Sequence, residues 1–406
     1  MKTNPSASDT KLSLLPRREF LLRLTAGTSL AGFATQPTAS TLLATETKKP
    51  YTGPNVILVR FGGGVRRQET IVPQHTYAPF FCHELIQRGT FYPRMEIDSF
   101  SDIETSHGQG TLYLLTGRYD KYKDVGGKFL GARFEPKVPT LFEYLRREFD
   151  VPSHQTLIIN GEDRKDEEFY NFSNHTLYGV DFRSTTLSLH RFKSHLLRRQ
   201  LSEGKIVDSE RPKKEKDLAA MESLDYRTKG NDRQDSVIES FWERWREHFG
   251  ETGLVNPRGD RLLTELALRS LKTLRPRLMM VNYNDPDYVH WGNATHYTRG
   301  ISIIDEGIKQ LVAAVEADPE YRDNTVFVIV PDCGRDTNPF SPVPFQHHFN
   351  SPSAREVFAL VFGVGIEKKI VVDRRVEQIS VASTVGRLMG FKTGLAEGKP
   401  LEEAIA

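Results

Sequence analysis

Cysteine is scarce: the 406-residue chain has two, Cys82 and Cys333. Two thiols cannot frame a disulfide scaffold; at most they pair with each other in an oxidising compartment. Net charge is nearly absent, with 55 basic against 53 acidic residues, so no overall field recruits nucleic acid. Arg-rich stretches such as Arg191 to Arg199 are flanked by acidic residues and read as solvated helix faces. No apolar run is long enough to span a bilayer stably, and no internal repeat occurs. What remains is a chain long enough for one large α/β domain with insertions, or two ordinary domains.

The N-terminus carries an address. Pro16-Arg17-Arg18-Glu19-Phe20-Leu21-Leu22 fits the twin-arginine pattern, followed by a mildly apolar stretch to about Ala34 and small or polar residues to Thr45. Residues 1–45 therefore read as a twin-arginine signal and linker, and the protein as periplasmic or otherwise exported. No clean small-residue triplet marks the cleavage point.

Beyond Gly53-Pro54 the pattern alternates. Asn55 to Phe61 is a short apolar run ending in three glycines, Gly62 to Gly64, as a buried parallel strand does when it enters a loop. Helical spacing follows over Pro79 to Gly89, Gly108 to Leu115 and Pro139 to Arg147, then a strand over Gln155 to Ile159. Residues 161–250 are polar and charged, with helices expected over 187–201 and 237–248, and read as an insertion or cap lying outside the sheet. The alternation then resumes: a helix over 260–274, strands over 277–283, 325–330 and 357–363, a long helix over 297–317 and a last one over 379–389. Such a sequence predicts an α/β three-layer sandwich with a mostly parallel central sheet over residues 54–391. Functional residues in such folds gather at the carboxyl ends of the strands.

Polar clusters stand at those ends. Strand 277–283 leads into Asn284-Asp285-Pro286-Asp287-Tyr288-Val289-His290, and strand 325–330 into Pro331-Asp332-Cys333-Gly334-Arg335. Gln346-His347-His348 comes soon after. Any one cluster alone reads as capping aspartates and surface histidines; three at successive strand ends point to a site. Asp287 and His290, with His348 or His347, make a three-ligand set for one divalent metal, zinc or calcium, and Asp332 stands beside it. Arg66 or Arg67 and Arg335 are guanidinium groups able to hold an anion bidentately.

Several stretches resemble, in order, the alkaline phosphatase/sulfatase-like superfamily. Pro54 to Val59 resembles its opening strand, His83 to Phe91 the helix that follows, Leu114-Leu115-Thr116-Gly117-Arg118-Tyr119 the segment after its nucleophile, Pro139 to Leu145 a further helix and Ile379 to Phe391 its C-terminal helix. The nearest likeness is to an uncharacterised twin-arginine-exported branch, which shares Phe61-Gly62-Gly63, a box matched by Asp332-Cys333-Gly334-Arg335 and a downstream His box matched by His347-His348. The resemblance implies an alkaline-phosphatase-like fold with a helical insertion and a site acting on phosphate or sulfate esters.

The departures bear on activity. In active members the first strand ends in a metal-binding Asp, where this chain has Gly62; their Asp-His-Gly box has its His replaced by Cys333. Counting back from Thr116-Gly117, the nucleophile position falls on His107, with Ser106 or Thr105 reached by a slip of one or two residues. The Cys-x-Pro-x-Arg motif of formylglycine sulfatases is absent. The resemblance thus implies at most one metal, with Cys333 pointing away into the core. Two functions stay open: a metal-dependent hydrolase of small anionic esters using Ser106 or Thr105, and an inactive relative binding an anionic ligand such as a sulfated or phosphorylated glycan.

Overall fold

The computed structural model describes residues 48–99, 103–120, 136–161, 169–222, 235–251, 259–290, 292–338, 343–347 and 351–405. Among these residues nine strands form one sheet: β1 (Asn55–Arg60), β2 (Gly89–Glu96), β3 (Thr156–Asn160), β4 (Thr185–Leu187), β5 (Leu278–Asn282), β6 (Thr325–Val330), β7 (Glu356–Gly363), β8 (Ile370–Val371) and β9 (Val376–Glu377). Their order is β4-β3-β5-β1-β6-β7-β2-β8, with β9 also on β2. The five strands from β4 to β6 are mutually parallel, whereas β7 is antiparallel to both its neighbours.

β1 lies at the centre, and all six of its residues are buried. Its side chains alternate between two cores, as a pleated strand requires. Ile57 and Val59 join the core packed by helices Asp260–Leu274 and Ala294–Ala317. Val56 and Leu58 join the opposite core, packed by helices His107–Thr116, Leu141–Glu148 and Ser380–Met389. The result is the expected α/β three-layer arrangement around a mostly parallel sheet. No described helix is long and apolar enough to cross a membrane.

Two details differ from expectation. Residues 161–250 are not wholly outside the sheet, because β4 pairs with β3 at its edge. Two helices of that segment, Leu189–Ser202 and Ser236–Phe249, bury Phe192, Phe241, Trp242 and Trp245 against the core of the main domain. Gly89, at the end of the expected helix, instead opens β2, whose pairing with β7 leaves no room for a Cβ there: one would stand 2.1 Å from the Val361 carbonyl oxygen. Cys82 and Cys333 are both free thiols, so the disulfide allowed by the sequence does not form.

Candidate metal centre

The carboxyl ends of β5, β1 and β6 stand side by side, and the loops leaving them converge on the N-terminus of helix His107–Thr116. Ser106 starts this helix by accepting the Gln109 amide at 3.3 Å, an N-cap arrangement. The helix presses directly on the end of β6: a Cβ at Gly110 would lie 2.2 Å from the Asp332 carbonyl oxygen, so only glycine fits. His107, on the first turn, is thereby delivered between two strand ends.

His107 joins two carboxylates. Its Nδ1 lies 2.5 Å from Asp332 Oδ2 and its Nε2 lies 2.6 Å from Asp287 Oδ1. Both nitrogens donate at once only in the imidazolium form. Burial pulls the His107 pKa down, but Asp287 and Asp332 more than offset this and raise it well above its ordinary value. In turn, burial opposes ionisation of Asp287 and Asp332, yet the His107 charge holds both carboxyls below the usual range, helped by Arg60 at Asp332.

The two carboxylates sit in different surroundings. Asp287 Oδ1 also faces His290 Nε2 at 3.1 Å and His347 Nε2 at 3.4 Å. Ligands held about 2.0–2.1 Å from a tetrahedral ion stand about 3.3 Å apart, so each of these imidazoles stands at a ligand's spacing from Asp287 Oδ1. The donor set, one carboxylate with imidazoles, suits zinc and similar divalent ions. His107, Asp287 and His347 bring ligand atoms within 4.8 Å of one another, as do His107, Asp332 and Cys333. Asp332 has no side-chain exposure. Its Oδ1 accepts the amides of Gly64 and Cys333 at 3.2 and 2.9 Å.

The other expected site residues are placed as follows. Asp287, His290, Asp332 and His347 are brought together; His348 lies outside the described residues. Thr105 is buried and donates its hydroxyl to the His347 carbonyl at 2.5 Å, which holds the His347 loop against the helix. Ser106 is occupied as the helix cap. Both hydroxyls are engaged in structural bonds, and His107 takes the position between the strand ends. Cys333 does not point away from the centre as expected: it is buried, but its Sγ lies 4.0 Å from His107 Nδ1. Burial, reinforced by the Asp332 charge, pushes this thiol up to about 11, so it stays protonated near neutrality.

The two arginines expected to bind an anion are committed elsewhere. Arg335 has no side-chain exposure and donates to the carbonyls of Gly63, Gly64, Val289, Pro286 and Phe345. It ties together the loops after β1 and β5 and the loop carrying His347, so it shapes the site rather than meeting a ligand. Arg66 is paired through two nitrogens with Glu69 at 2.8 and 2.7 Å and lies over the Phe345 and Tyr297 rings. The residue that sequence reasoning passed over is Arg60. It is fully buried at the end of β1, donating to Thr111 Oγ1 at 2.7 Å and to the Tyr283 carbonyl at 3.0 Å. One charged residue closing an apolar strand was the available signal.

No protein-family profile matches the chain, and no curated protein sequence matches it. Solved structures do. The fold is alkaline-phosphatase-like. Wild-type alkaline phosphatase PafA superposes with a TM-score of 0.52 and 11% identity, covering 87% of this chain and 99% of that one. The phosphonate monoester hydrolase SpPMH from Silicibacter pomeroyi gives 0.50 and 13%, over 87% of this chain and 76% of that one. The 2-O GAG sulfatase BT1596 gives 0.50 and 11%, over 86% and 74%. At these identities the likeness is one of fold.

Proposed function

We propose that the chain is an exported, metal-dependent hydrolase of phosphate or sulfate esters that works with a single divalent cation. The observation that carries this reading is the spacing of His290 and His347, 3.1 and 3.4 Å from Asp287 Oδ1, at the carboxyl end of a central strand. Asp287, His290 and His347 would hold the ion. A cation there would polarise an ester oxygen and lower the pKa of a bound water.

The rest of the chemistry falls to the chain's own groups. Asp332 fixes His107 through Nδ1 and leaves Nε2 on the side of Asp287 and His347. That nitrogen is the atom placed to hold a proton and release it to a departing ester oxygen. A small anionic ester, free or carried on a sulfated or phosphorylated glycan, is the substrate class; the neighbouring phosphonate monoester hydrolase and GAG sulfatase support this choice through their fold. The twin-arginine segment supports export, and Arg17→Lys with Arg18→Lys should leave precursor in the cytoplasm.

A second reading, an inactive relative that binds an anionic ligand, is favoured by the engagement of the Thr105 and Ser106 hydroxyls in structural bonds. Metal content and hydrolysis of p-nitrophenyl phosphate and p-nitrophenyl sulfate, for wild type and His347→Ala, separate the two. Bound metal and turnover that both fall in the variant support the hydrolase. Metal without turnover leaves the binding protein, and absence of both overturns the metal centre.

A further inference from the structure

Asp332 is the most enclosed acid of the centre, and its charge is already answered from within the chain. Arg60 Nη1 lies 3.6 Å from Asp332 Oδ2, with neither side chain exposed. The guanidinium is locked in place. Nη1 donates to Thr111 Oγ1 on the His107 helix at 2.7 Å, and Nη2 to the Tyr283 carbonyl at 3.0 Å and to Asn284 Oδ1 at 3.3 Å. It therefore fills the volume between β1, β5 and the helix that stands over them.

Gly62 shows how completely that volume is filled. A Cβ there would lie 1.9 Å from the Tyr283 carbonyl oxygen and 2.7 and 2.8 Å from Arg60 Nε and Nη2. A side chain at position 62 would meet both the Tyr283 carbonyl and the Arg60 guanidinium. Asp332 itself accepts three hydrogen bonds, from the Gly64 and Cys333 amides on Oδ1 and from His107 on Oδ2, and Arg60 forms an ion pair with Oδ2 at 3.6 Å. A carboxylate has about four acceptor sites; three are taken by hydrogen bonds, and the side of Oδ2 that remains faces the Arg60 guanidinium. A guanidinium also keeps its charge at every working pH and would repel a divalent cation placed next to it.

We infer that Arg60 is a resident cation: its guanidinium stands in for a metal ion beside Asp332, keeping the His107–Asp332–Cys333 group closed to metal, and its removal opens a zinc site there. The three ligand atoms that would receive the zinc already lie within 4.8 Å of one another, and sulfur, nitrogen and oxygen donors form a normal zinc set. Arg60 is a positioning residue that touches no substrate. The inference borrows from the proposed function only the idea that the Asp287 side is the one that takes an ion.

Metal analysis after dialysis against zinc tests it, alongside thermal melts with and without zinc. Arg60→Ala should take up one more zinc per chain than wild type, and its melting temperature should rise more with zinc than that of wild type. Arg60→Lys should keep the wild-type count. Adding Cys333→Ala to Arg60→Ala should abolish the extra zinc, whereas Cys333→Ala alone should leave the wild-type count unchanged. Equal zinc in Arg60→Ala and wild type overturns the inference, as does a wild type that binds two ions. If Arg60→Ala does not fold, Cys333→Ala alone decides: a lowered count shows that Cys333 is a native ligand and refutes the resident cation. A wild type with no zinc sinks the proposed hydrolase instead, and leaves the difference between wild type and Arg60→Ala to be read.

Discussion

Asp287 and Asp332 are the same residue type, placed after neighbouring parts of one sheet and joined by one imidazole, yet they are built for opposite ends. The Asp287 side chain is 26% exposed and meets three imidazoles, while that of Asp332 has no exposure and meets two backbone amides, an imidazolium and a guanidinium. Imidazoles can give up protons and accept a metal; amides and guanidinium cannot. The open carboxylate is suited to exchange its partners, whereas the closed one holds the architecture together. His107 is the link through which a change on one side reaches the other.

The sharpest way to break the closed half is Asp332→Ala. It strands the Arg60 guanidinium in a buried site and removes one anchor of His107. Losing one member of a buried ion pair costs about 3–5 kcal/mol, to be read by urea denaturation of metal-free protein. The pH dependence has a definite sign. The Asp332 carboxyl is held below its ordinary value, so its stabilisation is present above about pH 4 and is lost as the pH falls through the folded value. The variant should lack that part of the acid limb. An equal acid limb in variant and wild type would show that the pair adds nothing.

Breaking the link comes next. His107→Ala removes two charge-assisted hydrogen bonds, each worth about 1.5–3 kcal/mol at most, but partly relieves the loss by letting water reach Asp287. About 3 kcal/mol is expected at pH 6. Because the His107 pKa is raised, its contribution is complete below about pH 6.5 and fades as the pH rises through the folded value. The gap between wild type and variant should therefore narrow in alkaline solution; a gap that widens would contradict the imidazolium bridge.

The open half answers to metal instead. Removing the ion from wild type with a chelator should lower stability by about 2.7 kcal/mol if it was present at a hundredfold excess over its dissociation constant. Asp287→Asn should abolish that chelator response while changing metal-free stability by less. A chelator response that survives in Asp287→Asn would place the ion elsewhere.

How much of this was legible follows from the lengths and partners involved. β1, β5, β6 and β7 are buried runs of five to eight residues, and their apolar character alone marks them. β4, β8 and β9 have two or three residues, too few to show a period. β2 is broken by Pro93 and Arg94, where its register against β7 shifts between Tyr92 and Met95. Proline cannot donate to the ladder, so the pattern that names a strand is lost there. In the centre, Asp287, His290 and Asp332 were visible because they directly follow strands. Arg335 and Arg60 were misread or missed because residue type cannot tell a guanidinium facing solvent from one wrapped in carbonyls. The role of Cys333 depended on which way one Cβ points after a strand end.

The smallest expected effect bears on the question of a nucleophile. Ser106 stands one residue before His107, the link between the two halves, and its hydroxyl oxygen accepts the Gln109 amide at 3.3 Å. An N-cap of this kind is worth about 1 kcal/mol. Ser106→Ala should therefore lower stability by about that amount, seen as a small drop in urea midpoint with an unchanged slope. It should leave hydrolysis of p-nitrophenyl phosphate within a few-fold of wild type, because the proposed chemistry draws on the Asp287 side and on His107 Nε2. A hydroxyl that formed a covalent intermediate would behave otherwise: its removal would cost orders of magnitude in rate with little change in stability. Ser106→Gly sharpens the distinction, since glycine is a tolerated cap that costs only a few tenths of a kcal/mol. Turnover lost alike in Ser106→Ala and Ser106→Gly, despite their different stabilities, would return Ser106 to the reaction and make the capping bond a resting state of the nucleophile.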